Sequence, residues 1–555
     1  MRFLLAGHAI PLVLLFLFSL FASQKLLTDK FYTSHDGEGH VIRMIDFDEV
    51  FREGQIPVRI AKRIHYGLGY PFFTFNYPFV YYLGEAFHVS GLSYVSSFKA
   101  LLVLSVIVGS VALYFFTLPF FGRIPAFASA FFIIFAPYKF LNMYVRGNVA
   151  ESLGFAFIPL LLLAIERFIR NEKYKNALLI SSISLLILSH NITAMVGVVL
   201  GVSYFVWRIS KINKKPDFKN IAISVFSAVL ITSFFWLPVV VETKVTKLSE
   251  LASDYKDFFP TFQEVFYSPW GFGPYKPGFL PGKMSPQIGV MHEVFFVLAV
   301  AFFLIHLIKK QIREKERLFL FFIMVGAISL FLALPASKSL WEVFPPLRYV
   351  QLPWRFIGYV TLSCSVAAGY LISQIGKPRF QIVVFLLIVP ILIYANRNHI
   401  RVNQYIDFHN PFLESETYSL STTSRNEHMP KDAPQIFSKP NPNGDMPPSA
   451  GVSTRTVWKS NYHKFIVNAA SDIAFRDNTH FFPGWSAVVD GKTARIEADK
   501  DDFRRLRIPV PKGKHTVEFF FRETPYRLLA DIVSLSTIML LVARGLFGKK
   551  FFTRL

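Results

Sequence analysis

The first polar loop of the chain holds residues that could do acid–base chemistry. Asp36 and His40 are four positions apart, at the start of a predicted amphipathic helix that Gly54 ends. A carboxylate beside an imidazole can act as a general base, with the histidine tuning the carboxylate. A helix N-cap followed by a surface histidine explains the same two residues. The spacing alone leaves both interpretations open.

Two arginines stand at the mouths of apolar segments, where a lipid headgroup would lie. Arg146 belongs to the stretch Tyr144-Val-Arg-Gly-Asn-Val-Ala-Glu151, and Arg355 ends the stretch Gln351-Leu-Pro-Trp-Arg355. Guanidinium groups bind phosphate through paired hydrogen bonds, so each arginine could hold a lipid phosphate or pyrophosphate. Arginines near the ends of membrane helices also reach lipid headgroups without forming a specific site.

Clustered acidic and histidine residues could also bind a divalent cation, Mg²⁺ or Mn²⁺. The candidate ligands are Asp36, Glu151 and His292, although no metal motif of fixed spacing includes them. The single cysteine, Cys364, excludes a disulfide framework and any Cys-based metal centre. The chain also has no Walker A run and no Gly-x-Ser-x-Gly elbow, so nothing in it favours nucleotide-driven or serine-hydrolase chemistry.

The elements that must position these residues are membrane helices. Of the 555 residues 52% are apolar and 17% are charged, against about 25% charged in a typical soluble domain. The chain contains about twelve apolar stretches that could span a bilayer. They lie at roughly 4–23, 97–120, 124–141, 150–165, 176–193, 194–208, 220–241, 290–308, 318–336, 354–373, 380–395 and 526–546. The first also fits a cleaved signal peptide, although its apolar run is long for one.

An aromatic segment at 69–83 is not counted among the spans. Two prolines interrupt it, and its tyrosines are typical of the membrane interface. We therefore predict a helix lying in or dipping into the outer surface. If this segment crossed the bilayer, every later loop would change sides and the short basic loops would fall outside, against the positive-inside rule.

The net charge is explained by this topology. The chain has 59 Lys and Arg against 37 Asp and Glu, a formal net charge of +22, which by itself would suggest a nucleic-acid partner. With twelve spans and both termini cytoplasmic, most of that charge lies in short cytoplasmic loops, where topology and anionic lipid account for it. The same orientation places Asp36, Arg146 and Arg355 on the outer face. No nucleic-acid partner is expected.

Three domains are predicted along the chain. Residues 1–395 form the transmembrane domain with a first outer loop at 24–96, residues 396–525 lie outside the membrane, and residues 526–555 form the last span with a basic tail. The outer region begins with a Pro- and Asn-rich linker, 396–450, followed by a β-rich part, 451–525. Strands of a small antiparallel sandwich are predicted at 454–459, 464–469, 485–489, 504–510 and 515–521. Hairpin turns are predicted at Asp490-Gly491 and at Pro511-Lys-Gly-Lys514.

These motifs resemble known membrane proteins. The first loop, with Asp36, His40, Gly-Leu-Gly-Tyr-Pro71 and the aromatic run that follows, resembles the opening of GT-C superfamily glycosyltransferases. The whole chain is similar to the membrane proteins called 6-pyruvoyl-tetrahydropterin synthase-related, relatives of the YfhO-like group. The matching residues include the stretch from Tyr144 to Glu151, Ser189-His-Asn-Ile-Thr193, Gln351-Leu-Pro-Trp-Arg355 and Phe482-Pro-Gly-Trp-Ser-Ala-Val-Val-Asp-Gly-Lys492. We find no pterin-enzyme constellation despite the family label.

The resemblance implies an all-α, GT-C-like polytopic protein that transfers a sugar from a polyprenyl-phosphate donor at the outer membrane face. The implied reaction is of the inverting type, and the acceptor is a glycan, a lipid or a protein of the cell envelope. Asp36 would be the catalytic base, tuned by His40, and Glu151 would be the second acidic position. The implied donor-binding residues are Arg146, Arg355, His190, Asn191 and Gln351, with Tyr70 and Tyr77 of the aromatic segment contacting sugar or prenyl chain.

Two other functions remain open. A non-enzymatic flippase or assembly scaffold for lipid-linked glycans would keep the same fold and the arginine-lined mouth but would need no base. An ion-coupled transporter fits poorly, because the predicted spans carry almost no charge at membrane depth. All of these functions imply a multi-pass protein of the plasma membrane that contacts membrane lipids.

Overall fold

The structure is a computed structural model of the 555-residue chain. It describes residues 7–211, 216–250, 254–278, 280–408, 427–431, 433, 444–446, 448–500 and 504–547. The described chain is mostly helical and has a β-rich part near its C-terminus. The predicted fold class, a polytopic helical protein with a small β-sandwich, is therefore confirmed.

Nineteen α-helices lie in the described residues. In chain order they are α1 (Ala9–Ala22), α2 (Gly37–Arg52), α3 (Phe72–Phe75), α4 (Pro78–Val89), α5 (Tyr94–Phe121), α6 (Arg123–Ile134), α7 (Pro137–Phe140), α8 (Val149–Ile169), α9 (Lys175–Ser189), α10 (Asn191–Ile209), α11 (Phe218–Ile231), α12 (Ser233–Glu242), α13 (Phe262–Phe266), α14 (Val290–Ile308), α15 (Glu314–Ala333), α16 (Lys338–Val343), α17 (Ile357–Ile372), α18 (Pro378–Ala395) and α19 (Pro525–Phe547). A π-helix, Leu141–Arg146, follows α7 directly. Short 3₁₀ turns include Pro345–Val350 and Pro353–Phe356, which precede α17.

Eight of the described helices are long and apolar enough to cross a membrane. The number rises to ten if each of two bent helix pairs forms one span. The predicted count of about twelve is reached only when the shorter apolar helices α1 and α9 are added. The aromatic segment forms the short helices α3 and α4, neither of which is among the candidate spans, in agreement with the prediction.

Two stretches that we predicted as single spans are bent in the structure. Arg123–Ile134 and Pro137–Arg146 meet at 43°, and Phe218–Ile231 and Ser233–Val245 meet at 66°. At the first bend Ala136 is extended, as the residue before a proline prefers to be. The bend starts a new run of helix at Pro137, and that run carries several polar side chains described below.

The chain divides into two compact units. The first comprises Met1–Glu38, Val95–Val225 and Ala252–Asp407; the second comprises Gly39–Tyr94, Phe226–Leu251 and Phe408–Leu555. The predicted domain boundaries near 395 and 525 stay predictions about the organisation of the chain.

In the first unit α17 is the central helix. It packs against α6, α14 and α15, and nearly all of the span Pro353–Ile372 is buried. Helix α8 packs against α9 and α10, and a Cβ at Gly154 would lie 3.0 Å from Thr193 Cβ, so this glycine permits the close approach of α8 and α10. The N-terminal ends of α8, α10 and α17 carry most of the residues that we predicted to form a site.

In the second unit the predicted amphipathic helix is α2. Its apolar side packs on the aromatic segment, where Phe47 contacts Phe73, Tyr81 and Tyr82. Glu242 of α12 accepts a hydrogen bond from Arg527 Nε of α19 at 2.6 Å, and both side chains are almost fully buried. Buried ion pairs of this kind fix the register between helices at some cost in desolvation.

The strands form one small ribbon and one sandwich. The ribbon pairs β1 (Phe31–Tyr32) with β2 (Tyr405–Ile406) in the first unit. The sandwich of the second unit contains β3 (Gly451–Lys459), β4 (Tyr462–Ala469), β5 (Ile473–His480), β6 (Trp485–Val489), β7 (Lys492–Ala494), β8 (Glu497–Ala498), β9 (Arg505–Val510) and β10 (Gly513–Phe521). Its sheets have the orders β3-β4-β10-β6-β7 and β5-β9-β8, and every pairing is antiparallel.

The sandwich contains all five predicted strands, but it differs from the prediction in one turn and in three additional strands. The hairpin at Asp490-Gly491 forms as predicted, because both residues have positive φ and Val489 pairs with Lys492. The turn after Pro511 is not a hairpin: it connects β9 in one sheet to β10 in the other, so this part of the prediction was wrong. Strands β5, β7 and β8 were not predicted. Most of the predicted linker 396–450, including 434–443, lies outside the described residues.

Candidate polar site at the helix N-termini

A fully buried carboxylate, Glu151, is the centre of the candidate site. It is the third residue of α8, and Asn148 caps that helix by accepting a hydrogen bond from the Glu151 N–H at 2.9 Å. The side chain has no solvent exposure. Its two oxygens accept four hydrogen bonds, from Tyr138 Oη (2.8 Å), Asn142 Nδ2 (3.2 Å), Arg146 Nη1 (2.7 Å) and Arg355 Nε (3.0 Å).

The π-helix Leu141–Arg146 positions two of these donors. Asn142 and Arg146 project to the same side, and Arg146 Nη1 also donates to Asn142 Oδ1 at 2.6 Å. A π-helix is rare and is frequently found at functional sites. The bend at Pro137 and the π-turn together bring this stretch over the N-terminus of α8.

Arg355 reaches the same carboxylate from the start of the α17 span. Its Nη1 donates to the Val350 carbonyl at 2.6 Å, which fixes the guanidinium relative to the preceding 3₁₀ turn. The neighbouring Trp354 is buried, and its ring lies under the Arg146 guanidinium, 4.7 Å from Cζ to ring centroid. A cation–π contact of this kind contributes about 0.5–2 kcal/mol. Glu151 therefore joins two guanidinium groups that come from distant parts of the sequence.

Asp36 lies at the exposed edge of this cluster. Its side chain is 39% exposed, and Oδ2 accepts a hydrogen bond from Asn148 Nδ2 at 3.1 Å and lies 4.0 Å from Arg146 Nη2. The Asp36 N–H donates to the Arg146 carbonyl at 2.8 Å. Backbone and side chain together hold this carboxylate beside Arg146 while one side of it stays open to solvent.

Gly147 makes this arrangement possible. Its φ is +61°, and a Cβ there would lie 2.6 Å from Ser34 Oγ and 3.0 Å from Gly37 N and Cα. The left-handed conformation costs about 1–2 kcal/mol for a residue with a Cβ, and the clash would push the first loop away from the arginine-bearing turn.

We therefore expect Gly147→Ala to lower the free energy of unfolding by at least about 1–2 kcal/mol and to displace Asp36. Thermal unfolding of the purified full-length protein measures the first effect. Gly376→Ala is the matched control, since a Cβ at Gly376 would meet nothing within 4 Å. Equal melting temperatures for the two variants would contradict the assigned role of Gly147.

The two arginines keep hydrogen-bonding capacity that the protein does not use. The contacts of Arg355 are made through Nε and Nη1, and Arg146 Nη2 has only the 4.0 Å approach to Asp36 within the described residues. Both side chains are at least nine-tenths buried. Two Nη2 groups in one buried cluster can therefore donate to an anionic oxygen without first breaking their contacts to Glu151.

Three other predicted residues lie at nearby helix ends of the first unit. His190 is buried and caps α10, because its Nδ1 is 2.7 Å from Thr193 Oγ1 and 3.3 Å from the Thr193 N–H. Asn191 is exposed as the first residue of α10. Gln351 is exposed and has a φ of +66°, and its Oε1 comes only to 3.5 Å from Arg355 Nη1. His190 thus has a structural role, and the donor-binding roles of His190, Asn191 and Gln351 stay predictions.

The remaining predicted residues belong to the second unit. His40 is 1% exposed and lies 3.5 Å from Tyr81 Oη, so the alternative interpretation as a surface histidine is wrong. Tyr70 is fully buried with its ring stacked on His65, which leaves no open ring face for a sugar. Tyr77 is half-buried at the N-terminus of α4. The tuning of Asp36 by His40 and the contact of Tyr77 with substrate stay predictions.

The predicted metal ligands do not come together. His292 is fully buried and its Nε2 lies 3.0 Å from the Phe132 carbonyl, while the Glu151 oxygens are occupied by four donors. Within the described ranges no group of three or more His, Cys, Asp or Glu residues could hold a metal ion. These three side chains therefore do not form a binding site for Mg²⁺ or Mn²⁺, and the mechanism proposed below uses no metal ion.

Sequence reasoning missed three members of the cluster: Tyr138, Asn142 and Trp354. Two signals were available. Asn142 and Arg146 are polar residues four apart in an otherwise apolar run, and Pro137 interrupts that run just before them. Polar groups at membrane depth are expensive and usually have a partner or a function.

The fold and the buried polar cluster define a multi-pass membrane protein with a candidate site at the N-terminal ends of its spans. A family model described as "6-pyruvoyl-tetrahydropterin synthase related domain; membrane protein" matches residues 73–403. This is more than half of the chain, so the protein belongs to that family, as the resemblance implied. No curated protein matches the chain significantly.

Several solved structures are similar in overall arrangement. The apo oligosaccharyltransferase of Archaeoglobus fulgidus has 12% identity and a TM-score of 0.43, over 77% of this chain and 62% of that one. The same archaeal enzyme in complex with an inhibitory peptide and a dolichol-phosphate has 12% identity and a TM-score of 0.42, over 79% of this chain and 62% of that one. The chain thus spans less than two thirds of these proteins, and likeness at this level leaves its function open.

Proposed function

We propose that the protein is an inverting glycosyltransferase of the GT-C type. It takes a sugar from a polyprenyl-phosphate-linked donor and transfers it to a glycan, lipid or protein acceptor at the outer membrane face. The observation that carries the proposal is the cluster of the first unit, in which an open carboxylate, Asp36, lies beside two buried arginines with unused Nη2 donors. Base and phosphate-binding groups are the two things that this transfer needs.

The residues would act in one displacement step. Asp36 accepts the proton of an acceptor hydroxyl or amide while the acceptor atom forms a bond to the anomeric carbon. The bond between that carbon and the donor phosphate oxygen breaks, and its electron pair goes to the phosphate. Arg146 and Arg355 stabilise the added negative charge, which is worth most in a buried site where water does not compete. A single displacement inverts the configuration at the anomeric carbon.

Glu151 has a different role in this mechanism from the one predicted. It is fully buried and its oxygens already accept four hydrogen bonds, so it has no free position for substrate. We assign it as a positioning residue that holds both guanidinium groups toward one point. Asp36 alone remains as the catalytic acid–base group of the cluster.

The assignment to the outer face is supported by the ends of two helices. The site residue Glu151 lies at the N-terminal end of α8, and the basic stretch from Arg167 to Lys175 begins at the C-terminal end of the same helix. At 1.5 Å per residue, Glu151 and Arg167 are about 24 Å apart along the helix. The α17 span likewise starts near Arg355 and is followed by Lys377. Short basic loops stay on the cytoplasmic side, so the polar cluster belongs to the opposite face.

A flippase or scaffold for lipid-linked glycans is the second candidate function. It would use the two arginines to hold a lipid phosphate but would have no use for the base. Asp36 and Glu151 both approach Arg146, but Glu151 is buried and only Asp36 is exposed to solvent. The open position of Asp36 is the feature that favours the enzyme.

A reconstitution experiment separates these functions. The full-length protein is placed in liposomes with polyprenyl-phosphate hexoses labelled in the sugar, and a membrane extract is the acceptor pool. We expect protein-dependent loss of label from the polyprenyl lipid and its appearance in the acceptor. If labelled donor moves across the bilayer without any sugar transfer, the protein is a flippase and the proposed enzymatic activity is wrong. If the donor is neither moved nor transferred, the result favours the scaffold.

A further inference from the structure

A long apolar groove runs along the first unit beside the polar cluster. It lies between α10, α15, α16 and α17, and its volume is about 1050 Å³. This is slightly above the range for small-molecule sites, about 300–1,000 Å³. Among the described residues the lining contains no charged side chain, and its polar side-chain atoms come from three serines and the aromatic residues Trp207 and Tyr359. Such a surface suits a hydrocarbon chain and offers little to a polar ligand.

The groove is open on the side that would face lipid. Several of its lining residues are more than half exposed, including Val199 of α10 (64%) and Ile328 of α15 (60%). These side chains belong to candidate membrane spans, so the exposed surface lies at membrane depth. A chain dissolved in the bilayer can therefore enter the groove sideways without crossing water.

The length of the groove favours a polyprenyl chain over the acyl chain of an ordinary phospholipid. The lining extends from Met195 of α10 to Ser210, the residue that follows this helix, a rise of about 22 Å at 1.5 Å per residue. The acyl chains of one leaflet fill about half of the ~30 Å hydrocarbon core, or about 15 Å. The groove is therefore longer than the acyl chain of a phospholipid in one leaflet. A polyprenyl chain is long enough to fill the whole groove.

One end of the groove is continuous with the polar cluster. Val350 lines the groove and its carbonyl accepts the hydrogen bond from Arg355 Nη1, and Tyr359 lines the groove one turn after Arg355. A chain in the groove therefore has its head beside a guanidinium group with an unused Nη2. A single phosphate at that end would be complementary in charge.

We propose that this groove binds the polyprenyl chain of the donor along more than one leaflet and thereby selects donors by chain length. The proposal rests on the proposed function, in that the donor is carried on polyprenyl phosphate. Carriers too short to pass the middle of α10 would leave the far part of the groove empty and would lose the contacts made there. Long carriers would gain those contacts, since transfer of apolar surface from lipid into a shaped groove adds packing.

The test uses polyprenyl phosphate without sugar as the probe. Its binding to the full-length protein in nanodiscs is measured for a chain of two isoprene units, for one of eight or more, and for phosphatidylglycerol as an ordinary anionic lipid. Val199→Trp fills the groove one helical turn beyond Met195, before its far part, and the adjacent Val198→Trp is the matched control, because Val198 is also exposed (44%) but does not line the groove.

We expect the long chain to bind at least about tenfold more tightly than the short one, a difference that corresponds to about 1.4 kcal/mol. Val199→Trp should remove this preference and Val198→Trp should keep it. Equal binding of short and long chains, equal loss in both variants, or equally tight binding of phosphatidylglycerol would each overturn the proposal. Length-dependent binding without sugar transfer would support the proposed role of the groove and contradict the proposed transferase activity. Sugar transfer without length-dependent binding would support the transferase activity and contradict the role of the groove.

Discussion

Asp36→Asn should lower the rate of sugar transfer by about 10²–10⁴-fold, the usual contribution of a positioned general base. Asparagine has the size of aspartate and can still be held by Asn148, but it cannot accept a proton at neutral pH. The side chain is 39% exposed, and within the part of the chain that the structure describes its ion-pair contact is the 4.0 Å approach to Arg146, so we expect the melting temperature to change little. The rate is measured in the reconstituted system with saturating donor, so that the change in the chemical step is seen.

Glu38 provides the control for this prediction. It lies two residues from Asp36, and burial raises the pKa of its carboxyl, a property that general bases also show. Glu38 accepts its hydrogen bonds from the Ser34 N–H and hydroxyl, which marks it as a part of the loop structure. Glu38→Gln should therefore keep most of the activity. If Glu38→Gln loses activity and Asp36→Asn keeps it, the base is Glu38 and the assignment of Asp36 is wrong.

Glu151→Gln should lower the free energy of unfolding by about 3–5 kcal/mol, because it leaves two guanidinium groups in a buried place without their carboxylate. It should also reduce transfer strongly, since Arg146 and Arg355 lose the group that aims them. We expect the KM for the donor to rise and kcat to fall, as both ground-state and transition-state contacts to phosphate depend on the same two side chains. Thermal unfolding and steady-state kinetics of the purified protein measure these effects.

A second buried carboxylate of the same helix provides a control that separates the effect on stability from the effect on donor binding. Glu166 is 1% exposed and binds Arg208 through both oxygens, at 2.7 and 2.8 Å, and it also binds Arg170 and Tyr204 at 2.7 Å. It lies four turns from Glu151, at the other end of α8. Glu166→Gln should lower stability by a similar amount while leaving the KM for the donor unchanged. Equal kinetic effects in the two variants would mean that Glu151 acts only on the fold.

Much of the helical architecture could be predicted because its signal is local. Each predicted apolar stretch overlaps a helix of the structure, and the Asp490-Gly491 hairpin follows from two residues that tolerate positive φ. Strand β5 was not predicted because its inward-facing positions include the polar residues Asp477 and Thr479, which are buried. A buried polar pair destroys the alternation by which a strand is recognised. The turn after Pro511 shows that a turn signal does not tell which sheet the next strand joins.

The candidate site could be predicted only in part, because its geometry depends on long-range contacts. The types of Asp36, Arg146 and Arg355 indicated proton transfer and phosphate binding. Nothing in the sequence shows that Arg355 donates to a carboxylate 204 positions earlier, or that this carboxylate is closed to solvent. The π-helix was equally hidden, since it depends on the packing that surrounds the turn rather than on its six residues alone.

The two buried carboxylates of α8 together fix how many residues that helix must contain. Glu151 and Glu166 are each held by arginines from other segments, so neither end of the helix can slide or turn independently. One inserted residue would rotate one carboxylate by about 100° relative to the other and shift it by about 1.5 Å. We therefore expect related chains to differ in the side chains between these two positions but to keep their number, whereas the loops at either end can change in length.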